Sequence, residues 1–511
     1  MTTPKTLEAT TIELLKTLIR NACVNDLTPD SGQEVRNAET LADFFEGTGV
    51  EIRRFEPHPG RVSVAFTVRG SDPDAEPLTL LGHTDVVPVD EDKWTTDPFG
   101  AETVEAEDGA RIYGRGATDM LFITAAMAAV TREVAVDAQS GTPPRGTLTF
   151  VACADEEARG GLGAGWIAEH EPEAFSWRNC LSETGGSHIP VRTAGDGASE
   201  NGNGNRDAGA DDQNDAEQAQ HAKQAQDAKQ AQDAKQAQDA KQAQHAKQAQ
   251  DAEDAHHAIV VVVGEKGAAQ RRITIHGDAG HGSAPYGREL TVGLIGEVAR
   301  RLSSIEPDVI SDDLWQGYIR SFRFDPETEA ALIAGENYEA LGPLARYSHA
   351  MSHLTVSPAV LRAGSAINVL PSTAYVELDI RPLPGQGQGD VDKLLLEALG
   401  DLAERVDIEH LITEDATLSP TSGPLYRAIE DTFREFFPDA DIVPTIAAGG
   451  SDLRFGRRLG GVGYGFALHA AGRSFGEVLD QLHSHDEFVH VEDVELTARA
   501  YRSLVRRFLG I

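Results

Sequence analysis

Three short apolar runs, PLTLLGHTD, GTLTFVACADEE and NCLSETGG, each close on histidine or carboxylate, and helical stretches alternate with them between about residue 8 and residue 187. That alternation predicts an α/β domain with a largely parallel sheet. In such a sheet ligands gather at the carboxyl ends of the strands. His83, Asp85, Asp155, Glu156, Glu157 and Glu183 all stand at that end. Burying so much negative charge at one sheet edge is costly unless cations neutralise it. The pattern that restricts the fold therefore also restricts the chemistry.

The pattern breaks over residues 195–257, which begin rich in Gly, Asn and Asp and continue as six hexads of the QAQDAK type between Gln218 and Glu253. Six residues of helix advance about 600°, so each repeat lies about 120° from the last and no apolar stripe forms. The segment reads as a polar, solvated insertion whose histidines His221, His245, His256 and His257 are incidental. From Ala258 to about residue 416, strand candidates IVVVV, RRITIHG, MSHLTVS and AYVELDIRPL predict a smaller α+β sandwich set into the first domain. The α/β pattern resumes in PLYRAIEDTFREFF and GVGYGFAL. The predicted organisation is a main domain over 1–194 and 417–511, an insertion over 195–257, and a second domain over 258–416.

Acidic residues outnumber basic ones 82 to 45, giving a formal charge of -37. Such a surface repels phosphate backbones and anionic lipid, which sets nucleic acid and membrane partners aside. Outside the hexads the only lysines are Lys5, Lys16, Lys93, Lys266 and Lys393. Extreme acidity with scarce lysine points to a halophilic protein, adapted to a salt-rich cytoplasm where counterions screen self-repulsion. The first residues place Leu14, Leu15, Leu18 and Ile19 at helical spacing beside acidic side chains, an amphipathic helix in place of a secretion signal. No apolar run approaches the ~20 residues of a membrane span. Cys23, Cys153 and Cys180 are too few and scattered for a disulfide framework and read as reduced core residues of a cytoplasmic protein.

Each chemical motif is ambiguous by itself. His83 and Asp85 lie two apart at a strand end, so they project from one face, as a metal ligand with its supporting carboxylate or as a structural pair. Asp119 in YGRGATDMLF precedes an apolar helix from about Met120 to Val130 and is either its N-cap or a carboxylate bridging two cations. In extended backbone Glu156 and Glu157 point opposite ways, so one can ligate while the other addresses a water. His483 and His485 in QLHSHDEFVH compete as a second imidazole. The whole ordered set has nitrogen and oxygen ligands only and suits two borderline cations such as zinc, with cobalt or manganese as alternatives.

Read together, GHTDVVP, GRGATDM, ADEE, SETGG, EKG, GDAGHGSAP, INVLP with DIRPLPG, GGSD and LHSHDE resemble, in order, the aminoacylase, carboxypeptidase and desuccinylase group of co-catalytic zinc metallopeptidases, which includes acetylornithine deacetylase and succinyl-diaminopimelate desuccinylase. The resemblance spans nearly the whole chain except the hexads. It implies that His83 and Glu183 hold one metal, that Glu157 and His483 hold the other, and that Asp119 bridges them. It makes Glu156 the general base, Asp85 the partner of His83, and Glu487 a supporting carboxylate four residues after the ligand His483. His281 looks like the group's histidine that polarises the scissile carbonyl, in dimeric members from across the subunit interface. Asn368 and Arg381 look like residues that hold the substrate's oxyanion or carboxylate, although a surface ion pair would equally suit Arg381 on sequence alone. The second domain becomes a lid and dimerisation domain, and the expected assembly is a homodimer. Leu121 and Phe122 stand where the group usually has Lys and Gly, which argues against a close match to the diaminopimelate-precursor desuccinylases. The expected activity is hydrolysis of the amide bond of an N-acyl amino acid or small peptide, with Glu156 taking a proton from water and returning it to the leaving amine. The competing expectation, a non-catalytic metal-binding relative that recruits a partner through its insertion, requires loss of the base or a ligand, and none is lost.

Overall fold

A computed structural model describes residues 5–189 and 258–511. The hexads and the insertion's histidines lie outside the described residues.

Edge to edge, the larger sheet runs Glu51–His58, Arg61–Val68, Leu148–Cys153, Leu78–His83, Asn179–Ser182, Val462–Gly465, Ala258–Glu265 and Thr417–Leu418. Two further strands, Asp441–Ala447 and His188–Ile189, pair with Ala258–Glu265 off that path. Its centre is parallel: Leu78–His83 pairs in parallel with Leu148–Cys153 and Asn179–Ser182, and Val462–Gly465 with Asn179–Ser182. The three runs that end in polar residues are thus three adjacent parallel strands, with His83 directly opposite Cys153.

Period-two alternation sorts the side chains onto two faces. Leu80, Phe150 and Tyr464 pack under the helices Leu7–Arg20, Phe122–Gln139, Pro424–Phe436 and Val491–Leu509. Leu81, Val151 and Cys180 face the other way, against Ala164–His170 and Leu453–Arg458. The predicted first helix is Leu7–Arg20, and it buries Leu14, Leu15, Leu18 and Ile19. Among the described residues no helix is long and apolar enough to cross a membrane, and the three cysteines are buried and unpaired.

A second, antiparallel sheet is ordered Thr355–Ala363, Thr373–Arg381, Ala268–His276 and Val406–Glu414. Helices Thr291–Ser303 and Gln388–Leu399 bury Ile295, Val298, Val391 and Leu395 against its Ile273, Val376 and Ile380. Two assignments of the sequence reading shift here. IVVVV was expected to open the second domain, yet Ala258–Glu265 is a strand of the larger sheet. Helix Asp313–Ser321 also belongs with the larger sheet, because Trp315, Tyr318 and Ile319 share one core with Val260, Val443 and Ile446. For the strand the cause is plain: a run buried at every position, as this one is, carries no alternation to say which sheet it joins.

Candidate metal centre and its surroundings

The centre forms where the parallel strands end. His83 is the last residue of its strand, Glu183 follows Asn179–Ser182, and the Glu156–Glu157 pair follows Leu148–Cys153. Asp119 comes from the kinked turn Ala117–Leu121, with φ -114° and ψ 99°, ahead of a helix that starts only at Phe122. Asp119 is therefore not an N-cap. Its Oδ1 lies 3.2 Å from His83 Nε2 and its Oδ2 lies 3.2 Å from His483 Nε2. Two groups result, His83 with Asp119 and Glu183, and Asp119 with Glu157 and His483; within each, the potential ligand atoms lie within 4.8 Å of one another. Asp119 is common to both, and each of its oxygens serves a different group.

The backbone separates His483 from His485. Residues 481–486 turn and are not extended, so the two imidazoles do not share a face. His483, at φ 59°, reaches Glu157 Oε2 at 3.2 Å as well as Asp119. The segment 155–157 is likewise not extended: Asp155 has φ 69° and Glu156–Ala158 is a single tight turn. Glu156 and Glu157 still diverge. Glu157 meets His483, while Glu156 Oε1 lies 3.8 Å from Arg454 Nη1.

Asp85 was expected to fix the tautomer of His83 through its carboxylate. Its backbone carbonyl lies nearer, 3.0 Å from His83 Nδ1 against 3.8 Å for the carboxylate Oδ1, and, being only an acceptor, calls for a proton on that nitrogen. The Asp85 carboxylate accepts the backbone N–H groups of Glu156 and Glu157, at 3.2 and 3.1 Å. It also accepts one hydrogen of the Asn25 amide, at 2.9 Å, and the same amide nitrogen lies 3.3 Å from Asp155 Oδ1. Asp155 in turn receives Arg61 Nη2 at 2.6 Å, and Arg61 is locked to Glu34 by three hydrogen bonds. Arg61, Glu34 and Asn25 are fully buried. Glu487, also fully buried, plays the corresponding part for Asp119 by accepting from Arg115 Nη1 and from the backbone of Gly116, Thr118 and Asp119. Gly116, at φ 81°, leaves no room for a side chain, since an added Cβ would collide with Val86.

These carboxylates repel one another. Burial and then Asp119 push Glu183 up to about 8, and burial and then Glu183 hold Glu156 well above the ordinary carboxylate range. Burial would lower His83, but its contacts with Asp119 and Glu183 outweigh that and raise it well above an ordinary imidazole. Hydrogen bonds to Asp119 and Glu157 lift His483 to about 10. Asp119 is depressed, because its two histidines overcome the cost of burial. Protons thus stand in for positive charge that the donor set calls for, and Glu157 Oε1 is buried with no hydrogen-bond partner. Nitrogen and oxygen donors in two groups with one shared carboxylate fit a pair of divalent cations.

Of the three residues expected from the second domain, one reaches this region. Arg381 lines a cavity of about 430 Å³ with Asp119, Glu156, Glu157, Glu183 and His483. His281 and Asn368 are exposed and sit together, with the Gly282 N–H donating to the Asn368 carbonyl at 2.8 Å. Neither lines the cavity.

Comparison with known proteins agrees with this architecture. The model of peptidase family M20/M25/M40 matches residues 79–507. The chain belongs to that family. Among M20/M25/M40 relatives, succinyl-diaminopimelate desuccinylase 1 of Ruegeria sp. (strain TM1040) is 44% identical over 99 residues, which are 19% of this chain and 24% of that protein. The chain spans between 24% and 33% of the length of the first three desuccinylases it matches. The metallo-carboxypeptidase Sso-CP2 of Sulfolobus solfataricus shares the fold, with a TM-score of 0.64 at 16% identity over 99% of this chain and 100% of that one. So does the YXEP protein of Bacillus subtilis, described as a dinuclear metal binding peptidase, with a TM-score of 0.56 at 12% identity over 99% of both chains.

Sequence reasoning overlooked Asn25, Glu34, Arg61 and Arg454. Arg61 did carry a signal, as the charge that opens the otherwise apolar run RVSVAFTV. Arg454 stands two residues after the GGSD motif. Asn25, in the loop after the first helix, carried none.

Proposed function

We propose that this chain hydrolyses the amide bond of an N-acyl amino acid or small peptide, with Glu156 as general base. The observation that carries the reading is the shared Asp119 between two ligand groups, with a buried, high-pKa carboxyl beside them that neither group uses. His83, Asp119 and Glu183 would hold one divalent cation and Asp119, Glu157 and His483 the other, zinc being the ion such a mixed donor set suits. Bound there, the cations supply Lewis-acid polarisation of a carbonyl and acidify a water. Glu156 takes the proton of the attacking water on its carboxylate and delivers it to the leaving nitrogen. Asp85 keeps Glu156 and Glu157 on diverging courses by holding both of their backbone N–H groups. Arg381 receives the substrate's carboxylate.

His281 and Asn368 complete the oxyanion site from the partner of a homodimer. Three features support that reading: both residues are exposed, and the exposed apolar side chains Ile367 and Val369 flank Asn368, with Val369 paired to His281. Thr355–Ala363 is also an edge strand, open to pairing. The second sheet with its two helices then serves as lid and dimerisation unit, inserted in the larger one. Three free, buried cysteines favour the cytoplasm as its compartment.

The test is hydrolysis of N-acetyl, N-succinyl and dipeptide substrates by the purified protein loaded with zinc, cobalt or manganese. Turnover should vanish with a chelator and return with metal. A protein that binds two metal equivalents and cleaves none of these amides would sink the reading.

A further inference from the structure

One face of the cavity beside the metal centre is apolar, and its position has consequences for the substrate. Phe475, Leu479 and Leu482 come from helix Phe475–Gln481 and the residue beyond it, immediately before the ligand candidate His483. Val262 and Tyr347 extend the face. The Tyr347 hydroxyl donates to the Ile446 carbonyl at 2.6 Å and its ring stands edge-on to Phe475 at 4.8 Å, so it offers the cavity a hydrocarbon surface. A narrow cleft of about 20 Å³ continues the face past Asp119 and Glu183 along Phe122, Ile123 and Val478. An apolar surface therefore adjoins the metal centre, where a scissile carbonyl must lie.

Most charged groups of the cavity are already engaged. Among the described residues its carboxylates are Asp119, Glu156, Glu157 and Glu183, all assigned to metal or base, which leaves none of them as a seat for a free α-ammonium group. Three arginines line it. Arg159 spends Nε and Nη2 on Glu414, and Arg454 gives Nη1 to the Ser451 carbonyl and Nη2 to the Arg159 carbonyl. Arg381 is different: Asp379 engages its Nε alone, leaving the two terminal nitrogens for one substrate carboxylate.

We infer that the substrate carries a single carboxylate, on the amine half and facing Arg381, and an uncharged apolar acyl group lying along Phe475, Leu479 and Leu482, so that N-alkanoyl amino acids are preferred over N-succinyl amino acids and free dipeptides. This inference rests on the amidohydrolase reading above. Each methylene laid on such a face contributes about fourfold in kcat/KM, from the transfer free energy of a buried CH₂ group. A carboxylate in the same place loses its hydration with no cation to receive it.

N-butyryl and N-succinyl derivatives of one amino acid have four-carbon acyl groups of similar length and differ chiefly in charge, so the zinc-loaded full chain can be assayed with both, beside the N-acetyl and N-hexanoyl derivatives and a dipeptide. The expected result is kcat/KM rising from acetyl through butyryl to hexanoyl, with succinyl at least tenfold below butyryl and the dipeptide below acetyl. Leu479→Lys, on a half-buried position of a short helix, should reduce the butyryl-to-succinyl ratio at least tenfold; Leu482→Lys should do the same if the first variant is insoluble. Succinyl ahead of butyryl, or an unchanged ratio in a folded lysine variant, overturns this inference and leaves amide hydrolysis standing. Absence of turnover on every substrate overturns the amidohydrolase reading itself.

Discussion

The metal centre and the His281 loop lie in one chain, yet the first rests on buried partners and the second is exposed. His83, Glu156, Glu157 and Glu183 follow from the register of three parallel strands, and buried carboxylates hold two of the connecting turns, Asp85 under the glutamate pair and Glu487 under Asp119. His281 stands on a two-residue strand in an exposed stretch, and among the described residues its Nδ1 bonds only to Ser283 beside it. A side chain placed by sheet register is positioned by its own fold. One on an exposed loop is positioned by whatever covers the loop, and the apolar residues around His281 call for a cover.

The largest effect should come from inside the centre. Glu156→Gln keeps size and polarity but accepts no proton, so both metals should stay bound while kcat falls at least ~10²-fold. Glu157→Gln replaces an anionic ligand with a neutral one and should cost one of the two metals, read by elemental analysis. Metal lost from the first variant and kept by the second would exchange the two roles. His281→Ala probes the other region: kcat should fall by about 10²-fold, the usual cost of one oxyanion donor, with metal content unchanged. Mixing His281→Ala with Glu156→Gln under subunit exchange should restore activity, because one site of the mixed dimer then holds both native residues. If mixing restores nothing, His281 acts within its own chain and the contrast between the two regions dissolves.

How far the sequence disclosed each region follows the same division. The parallel strands and the residues at their ends could be read directly, since a strand's last residue marks the sheet edge whatever the loop does next. Where the reading assumed extended backbone, at Glu156–Glu157 and His483–His485, it erred in geometry because positive φ at Asp155 and His483 turns the chain. The division between domains slipped at Ala258–Glu265, a strand without alternation. Asn25 was invisible because its function exists only in three dimensions, as one amide shared by Asp85 and Asp155 from neighbouring strand ends far apart in sequence. Asn25→Ala should therefore lower kcat roughly tenfold with KM nearly unchanged, at the low end of the 10–100-fold cost of losing such supporting contacts. A fall confined to thermal stability would make Asn25 a structural residue only.

Salt should act on the exposed carboxylates and hardly on the buried centre, since screening weakens with burial. With a formal charge of -37, the melting temperature should climb from low to multimolar KCl, and activity should rise with it. A flat or falling curve ends the halophilic reading.

The smallest effect expected is on stability against pH, and it isolates the metal centre. Without cations Glu183 is raised from 4.5 to about 8 and His483 from 6.5 to about 10. Over each interval the folded chain binds a proton that the unfolded chain has released, so unfolding free energy falls as pH rises. The contribution of Glu183 is fully present below pH 4.5 and lost by about 8; that of His483 is present below 6.5 and lost by about 10. Metal-free protein should therefore melt progressively lower from about pH 5 to pH 10, by a few °C, beyond what its surface charges produce. Zinc displaces those protons and binds more tightly as pH rises, so the metal-loaded protein should show the opposite trend, and the two curves should diverge. His281 is exposed and outside this network, so His281→Ala should leave the divergence untouched while Glu183→Gln narrows it. Curves that run parallel with and without zinc would mean that the protons and the cations do not compete for the same atoms.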